Sequence, residues 1–205
     1  MNIAPSRSRR RLRSEWRLLA YSRLIDQFEA RAALCLNDGD LAALLDDVTR
    51  ELGFDYFALL HHSSLSSTRA GLIRIDSYPA EWEVELEARG LIGSDPVHQA
   101  SVRTNIGFAW FELPSLVPIG RRAHEVLERS RRFGIGDGFT VPVNVPGEPC
   151  GSCSFAIRTG AELPLERLLC AEQIGAHAFR AARRLHGYPA SARCPHLSRR
   201  ERQCV

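Results

Sequence analysis

Two pairs of strand-like segments, each pair adjacent in sequence, constrain the fold of this chain more than any other feature. Residues 54–60 and 71–77 form the first pair, and residues 139–145 and 151–158 form the second. The second pair is joined by Pro146-Gly147-Glu148-Pro149, which is typical of a hairpin connection. Close connections favour antiparallel pairing, because parallel strands need a long crossover. We therefore expect an antiparallel sheet.

Helical periodicity surrounds these strands. Between residues 41 and 52 the apolar positions are Leu41, Leu44, Leu45, Val48 and Leu52, a spacing that predicts an amphipathic helix ended by Gly53. Comparable patterns predict helices over residues 14–36, 79–90, 96–104, 118–133 and 165–186. The last of these has Leu165, Leu169 and Phe179 on its predicted apolar face. Helices of this kind pack on both faces of a sheet.

The glycine-rich segment Gly134-Ile-Gly136-Asp-Gly138 resembles a phosphate-binding loop. It lies between a helix and a strand, however, whereas a dinucleotide-binding loop runs from a strand into a helix. We interpret it as a turn that leads into the strand at residues 139–145.

The positive charge is concentrated at the two ends of the chain. Five arginines lie within residues 7–13 and four within residues 193–202, so residues 14–192 are net acidic although the whole chain carries +3. An acidic body is unsuited to nucleic acid, whose binding requires neutralised phosphates. We expect residues 1–13 to be a basic, flexible tail rather than a DNA contact. Neither a membrane span nor a secretory signal is present in the sequence, so a cytoplasmic location is expected.

The cysteines and histidines do not suggest catalysis. The six cysteines lack a disulfide-framework spacing, and Cys150 and Cys153 would point to opposite faces of an extended segment. The adjacent His61 and His62 would also point to opposite faces of a strand. We therefore expect free thiols, no metal site, no cofactor and no enzymatic activity, since no positioned acid–base pair is visible.

Four residues form a candidate site for a small neutral ligand: Tyr78, Trp82, Asp95 and Trp110. An indole N–H only donates, a phenol donates or accepts, and an ionised carboxylate only accepts, so together they suit one amide and one carbonyl. Structural alternatives remain open at this point. The aromatic residues are equally suited to a core, and Asp95 before Pro96 suits a helix N-cap.

The spacing of these residues resembles the autoinducer-binding domain of LuxR-type quorum-sensing regulators. The shared pattern is Tyr78-Pro-x-x-Trp82, then Asp95-Pro96-Val97, then Trp110, followed by Gly134-x-x-x-Gly138-Phe-Thr-x-Pro142 and Gly151-x-x-Ser154-Phe-Ala. The family implies an α/β (α+β) fold, a three-layer α-β-α sandwich with a central, mainly antiparallel sheet of about five strands. It also implies an N-acyl-homoserine lactone as the ligand.

Carried over by position, the resemblance assigns a role to each candidate residue. Trp82 would donate to the lactone carbonyl, and Asp95 would accept from the amide N–H. Tyr78 and Ser154 would donate to the acyl carbonyl, and Trp110 would pack beside the lactone ring. The acyl or aryl nature of the tail stays open.

The resemblance also divides the chain. Residues 14–186 would form the ligand-binding domain, residues 187–196 a linker, and residues 197–205 the truncated start of a helix-turn-helix domain. A homodimer is expected, with DNA contacted only through the missing C-terminal domain. The alternative is a short interaction protein that inhibits a full-length regulator by forming heterodimers and needs no ligand.

Overall fold

A five-stranded antiparallel sheet organises the computed structural model, which describes residues 7–62 and 72–189, with side chains from Ala20 onward. The strand order is β2-β1-β5-β4-β3. The strands are β1 (Tyr56–His61), β2 (Arg74–Asp76), β3 (Phe108–Ala109), β4 (Ile135–Val143) and β5 (Gly151–Arg158). The predicted antiparallel pairing is confirmed.

Helices cover both faces of this sheet. They are α1 (Arg7–Leu34), α2 (Asp38–Glu51), α3 (Ala80–Ala88), α4 (Pro96–Ser101), α5 (Leu113–Leu116), α6 (Arg121–Arg132) and α7 (Leu168–Leu185). Helices α1, α2 and α7 pack on one face, and α3, α4 and α6 lie on the other. This is the predicted three-layer α-β-α sandwich.

The two faces of the sheet carry side chains of different size. On the face towards α2 and α7, Phe57, Phe155 and Phe139 lie in register across three strands within the main core. On the opposite face, the neighbouring row consists of Ala58, Ser154 and Thr140. Small side chains leave space between the sheet and its second helical layer.

The predicted glycine-rich turn is wrong in extent. Only Gly134, which ends α6 with φ +85°, takes a turn conformation that favours glycine. Strand β4 already begins at Ile135, with an irregularity of register between Ile135 and Gly138. A Cβ on Gly136 would lie 2.9 Å from the backbone oxygen of Arg158, so this glycine permits close pairing with β5.

Two helix predictions also differ from the structure. Helix α1 begins at Arg7, within the segment expected to be a flexible tail. In the last helix the buried face includes Phe179, but Leu165 and Leu169 are 59% and 78% exposed. The predicted apolar face was therefore displaced around the helix axis.

Some predictions concern residues that the structure does not describe. They are the predictions for the first six residues, for most of the linker (190–196), and for the start of a helix-turn-helix domain (197–205), which includes Cys204. Within the described ranges, no helix combines the length and apolar character that a membrane crossing requires.

Candidate functional site

An inner cavity lies between the sheet and the helices α3, α4 and α6, with a volume of about 40 Å³. All five candidate residues line it: Tyr78, Trp82, Asp95, Trp110 and Ser154. They come from four separate stretches of the chain, around residues 78–82, 95, 110 and 154, and the fold brings them together. Their ligand-binding roles remain a prediction.

Tyr78 and Trp82 do not meet through helical spacing, as the sequence suggested. Tyr78 lies before α3, where its backbone N–H donates to Asp76, and its ring packs on Tyr56 at 6.0 Å. Trp82 lies within α3, is 7% exposed, and packs on Phe133 at 5.7 Å. Both aromatic residues therefore also belong to a core cluster, as the structural alternative held.

The polar edges of these two aromatic residues have no protein partner. Among the described residues, no acceptor bonds the Trp82 indole N–H, and the Tyr78 hydroxyl has no hydrogen bond either. Burial raises the pKa of Tyr78 far above its usual range, and the carboxylates of Asp95 and Asp76 add to this effect. The phenol therefore stays protonated and able to donate.

Asp95 has two roles divided between its two oxygens. Its Oδ1 accepts from the backbone N–H of Val97 at 2.8 Å, which confirms the N-cap prediction for α4. Its Oδ2 lies 3.6 Å from His98 Nε2, and within the described chain no donor bonds it. One carboxylate oxygen thus remains available at the cavity.

Trp110 is held by a hydrogen-bond chain that the sequence reasoning missed. Its indole N–H donates to Thr140 Oγ1 at 2.8 Å, and Thr140 Oγ1 lies 2.8 Å from Ser154 Oγ. If Thr140 donates to Ser154, the Ser154 hydroxyl hydrogen is left for the cavity. Gly138 lets the indole approach the sheet, since a Cβ there would lie 2.8 Å from Trp110 Cε2.

An outer cavity of about 260 Å³ adjoins the inner one. The two share Leu60, Tyr78, Trp82, Asp95 and His98 as wall residues. Together they come close to the lower end of small-molecule sites, roughly 300 Å³. The joined cavity therefore approaches the size of a site for a small organic molecule.

The adjacent histidines lie on opposite faces of the sheet, as predicted. The ring of His61 packs on Phe179 and Tyr188, each at 5.2 Å, in the layer of α7. The ring of His62 packs on His98 at 4.3 Å, at the outer cavity. The alternation of β1 therefore places Ala58, Leu60 and His62 on the cavity side, although His62 itself follows the strand.

The cysteines of the described chain are free and show no reactive environment. Cys153 is fully buried in β5, and burial raises the pKa of its thiol far above the usual range. Cys150 precedes the strand and is only partly buried. In the part of the chain that the structure describes, no cluster of potential ligands could hold a metal ion.

A separate cavity of about 340 Å³ lies between α1 and α7, away from these residues. Its charged lining is already paired within the protein: Arg180 with Glu29, Arg183 with Glu148, and Arg184 with backbone oxygens at the end of α1. It is therefore the weaker candidate, although it is larger than the outer cavity.

The fold and the polar cavity together define a small-molecule-binding sensor domain. The profile of the autoinducer binding domain family matches residues 37–185, which is most of the chain. The chain belongs to this family of LuxR-type quorum-sensing regulators.

The comparisons with individual proteins agree with the family. The transcriptional activator LuxR of Aliivibrio fischeri is 24% identical over 136 residues, which are 65% of this chain and 52% of LuxR. The chain thus spans about half the length of this relative. LuxR is a transcriptional activator protein.

Solved structures share the fold at low identity. SdiA of Escherichia coli superposes with a TM-score of 0.63 at 18% identity, over 87% of this chain and 74% of that chain. CepR2 of Burkholderia cenocepacia, an N-acylhomoserine lactone-dependent LuxR family transcription factor, gives 0.64 at 15% identity, over 82% and 98%. At such identities the likeness establishes the fold alone.

Proposed function

We propose that this domain binds an N-acyl-homoserine lactone, or a related acyl or aryl lactone, and dimerises to control DNA binding by the regulator it belongs to. One observation carries the proposal. The indole N–H of Trp82, the hydroxyl of Tyr78 and the Oδ2 of Asp95 line one cavity and have no hydrogen-bond partner among the described residues.

Each of these groups matches one heteroatom of the ligand. Trp82 donates to the lactone carbonyl, and Asp95 accepts from the amide N–H. Tyr78 and Ser154 donate to the acyl carbonyl. Trp110 packs beside the lactone ring, because its own N–H is already bonded to Thr140.

The energetic case rests on burial. A ligand that covers these groups without pairing them would leave each one buried and unpaired, at a cost of about 1–3 kcal/mol, which a ligand of opposite polarity avoids. A plain hydrocarbon could not do so, and an anion would be repelled by Asp95. The site therefore favours a neutral amide with two carbonyls.

Binding also requires movement of the wall. The inner cavity of about 40 Å³ has room for little more than one water molecule. A lactone ring enters only if side chains of α6 that line the cavity, such as Val126 and Leu127, shift outwards. We therefore expect the contacts between the cavity and α6 to be tighter in the ligand-bound state than in the free state.

Exposed apolar residues support the dimer. Leu165 and Leu169, before and within α7, are 59% and 78% exposed, and Leu34 at the end of α1 is 78% exposed. Apolar side chains exposed on a helix suit a protein contact. The same residues favour the second candidate, a ligand-independent interaction protein that forms heterodimers.

Titration of the purified chain with lactones of graded tail length separates the two candidates. A ligand at about 100 times its Kd should raise the free energy of unfolding by about 2.7 kcal/mol. Asp95→Asn and Trp82→Phe should each weaken binding by about 1–3 kcal/mol, the cost of one unpaired buried group.

Asp47→Asn is the matched control, because Asp47 is exposed on α2 and its partner among the described residues is Arg31. It should leave the Kd unchanged. Unchanged affinity in both Asp95→Asn and Trp82→Phe would assign those residues to purely structural roles. If no lactone shifts the thermal midpoint of the chain, the ligand-independent interaction protein is favoured.

A further inference from the structure

The outer cavity is more polar than an alkyl tail requires. Leu60, Leu72, Leu86 and Ile92 form apolar parts of its wall. Ionisable residues form much of the remainder: His62, Arg74, Asp76, Glu83, Asp95 and His98. Arg74 is paired with Glu83 and lies 3.7 Å from Asp76, so these three satisfy one another at the edge strand β2.

His62 is the exception among these residues. Both of its ring nitrogens are buried, and neither has a hydrogen-bond partner among the residues that the structure describes. Burial lowers the pKa of His62 well below its usual range, with His98 and His61 contributing further. The ring is therefore neutral near pH 7, and it holds one N–H donor and one bare acceptor nitrogen.

The position of His62 relative to Asp95 places it along the ligand tail. His98 Nε2 lies 3.6 Å from Asp95 Oδ2, and the His98 ring lies 4.3 Å from the His62 ring. His98 lines both cavities, whereas His62 lines only the outer one. A tail that leaves an amide at Asp95 thus passes His98 before it reaches His62.

A group that both donates and accepts can satisfy this ring. A half-turn of the imidazole about χ2 exchanges its nitrogens with ring carbons, and this torsion is soft. A hydroxyl can then pair with either tautomer, since it donates to a bare nitrogen and accepts from an N–H. An alkyl chain can do neither, and it would leave the nitrogens buried and unpaired.

We propose that His62 selects a signal whose otherwise apolar tail carries a hydroxyl group, on an alkyl chain or an aromatic ring, over the same tail without it. This inference rests on the proposed function, because it assigns the tail of the ligand whose amide binds at Asp95. His62 is then a specificity-determining residue of the outer cavity.

The test measures the Kd of the full chain for matched pairs of lactones. One set compares N-octanoyl-homoserine lactone with its monohydroxylated isomers. A second pair compares N-phenylacetyl-homoserine lactone with its 4-hydroxyphenylacetyl counterpart. At least one hydroxylated ligand should bind about tenfold more tightly than its unsubstituted partner, the effect of one buried hydrogen bond.

His62→Leu should abolish this preference and raise the affinity for the unsubstituted partner, whereas His62→Gln should keep part of it through its amide. His124→Leu is the matched control, because the His124 side chain is 64% exposed on α6. If His62→Leu does not fold, comparing the wild type with His62→Gln still tests the preference for hydroxylated ligands.

Equal or weaker binding of every hydroxylated ligand by the wild-type chain would overturn the inference, as would an unaltered preference in a folded His62→Leu. These results differ from a failure of the proposed function. In that case no lactone of either kind would bind to the wild-type chain.

Discussion

The substitution Thr140→Val tests the hydrogen-bond chain that positions Trp110 and Ser154. Thr140 is fully buried, and its hydroxyl bonds the Trp110 indole N–H and Ser154 Oγ, each at 2.8 Å. Valine has nearly the same shape, so the change removes the hydroxyl without opening a cavity. Any loss of stability therefore reports the hydrogen bonds.

The expected magnitude follows from the groups left behind. A buried donor without a partner costs about 1–3 kcal/mol, and the lost bond to Ser154 adds about 1 kcal/mol. Trp110 is only partly buried, so water can reach part of its edge and reduce the first figure. We expect the free energy of unfolding to fall by about 2 kcal/mol.

Urea denaturation followed by circular dichroism measures this change, provided that the m-value stays constant. Thr49→Val is the matched control, because Thr49 is also fully buried but its hydroxyl has no hydrogen-bond partner in the described part of the chain. This control should be neutral or stabilising. A double-mutant cycle with Trp110→Phe should give a coupling energy of about 1 kcal/mol.

The reasoning fails if Thr140→Val costs no more than Thr49→Val. It also fails if the effects of Thr140→Val and Trp110→Phe simply add, since independent sites show no coupling. In either case the indole would be positioned by packing alone.

Three further predictions concern stability. Arg183→Met should lower the free energy of unfolding, measured by urea denaturation, by about 3 kcal/mol, because it leaves Glu148 unpaired with a side chain only 7% exposed. The control Arg31→Met, at an exposed ion pair, should lower it by less than about 0.5 kcal/mol. Lowering the pH from about 7 to about 5 should destabilise the protein. The reason is that His62 takes up a proton at about pH 6.5 in the unfolded chain, whereas burial depresses its pKa in the folded state. A steeper pH dependence of stability in His62→Leu than in the wild type would contradict this. Gly138→Ala should lower the thermal midpoint, with a cost of about 1–3 kcal/mol, because a Cβ there would lie 2.7 Å from a backbone oxygen of β5; an unchanged midpoint would mean that Trp110 can move aside without loss.

Local sequence patterns predicted most of the fold. The hairpin connection and the apolar residues that follow it predicted both the first and the last residue of β5 correctly, 151–158. Strand β4 was predicted over residues 139–145, four residues too late at its start and two too late at its end, compared with Ile135–Val143. The late start arose because Gly136 and Gly138 are typical of turns when read alone. In the folded chain their missing side chains serve the approach of β5 and Trp110 instead, and that requirement arises only from the tertiary structure.

Spacing and the family resemblance singled out five residues that line the inner cavity, but not how they are connected. Thr140, His62 and His98 were missed because their contacts depend on strand register and helix placement. Thr140 meets Ser154 only through the pairing of β4 with β5. Had that register been known, strand alternation would have placed Thr140 and Ser154 on one face.

The unequal faces of the sheet have a consequence for how such sensors diversify. The phenylalanine row towards α7 lies within the main core, whereas the row of Ala58, Ser154 and Thr140 lies outside it and carries smaller side chains. Under the proposed function, substitutions on the face with small side chains can therefore change the ligand specificity without unfolding the domain. Under that function, a change of ligand specificity would then require only a few substitutions around one side of an unchanged framework.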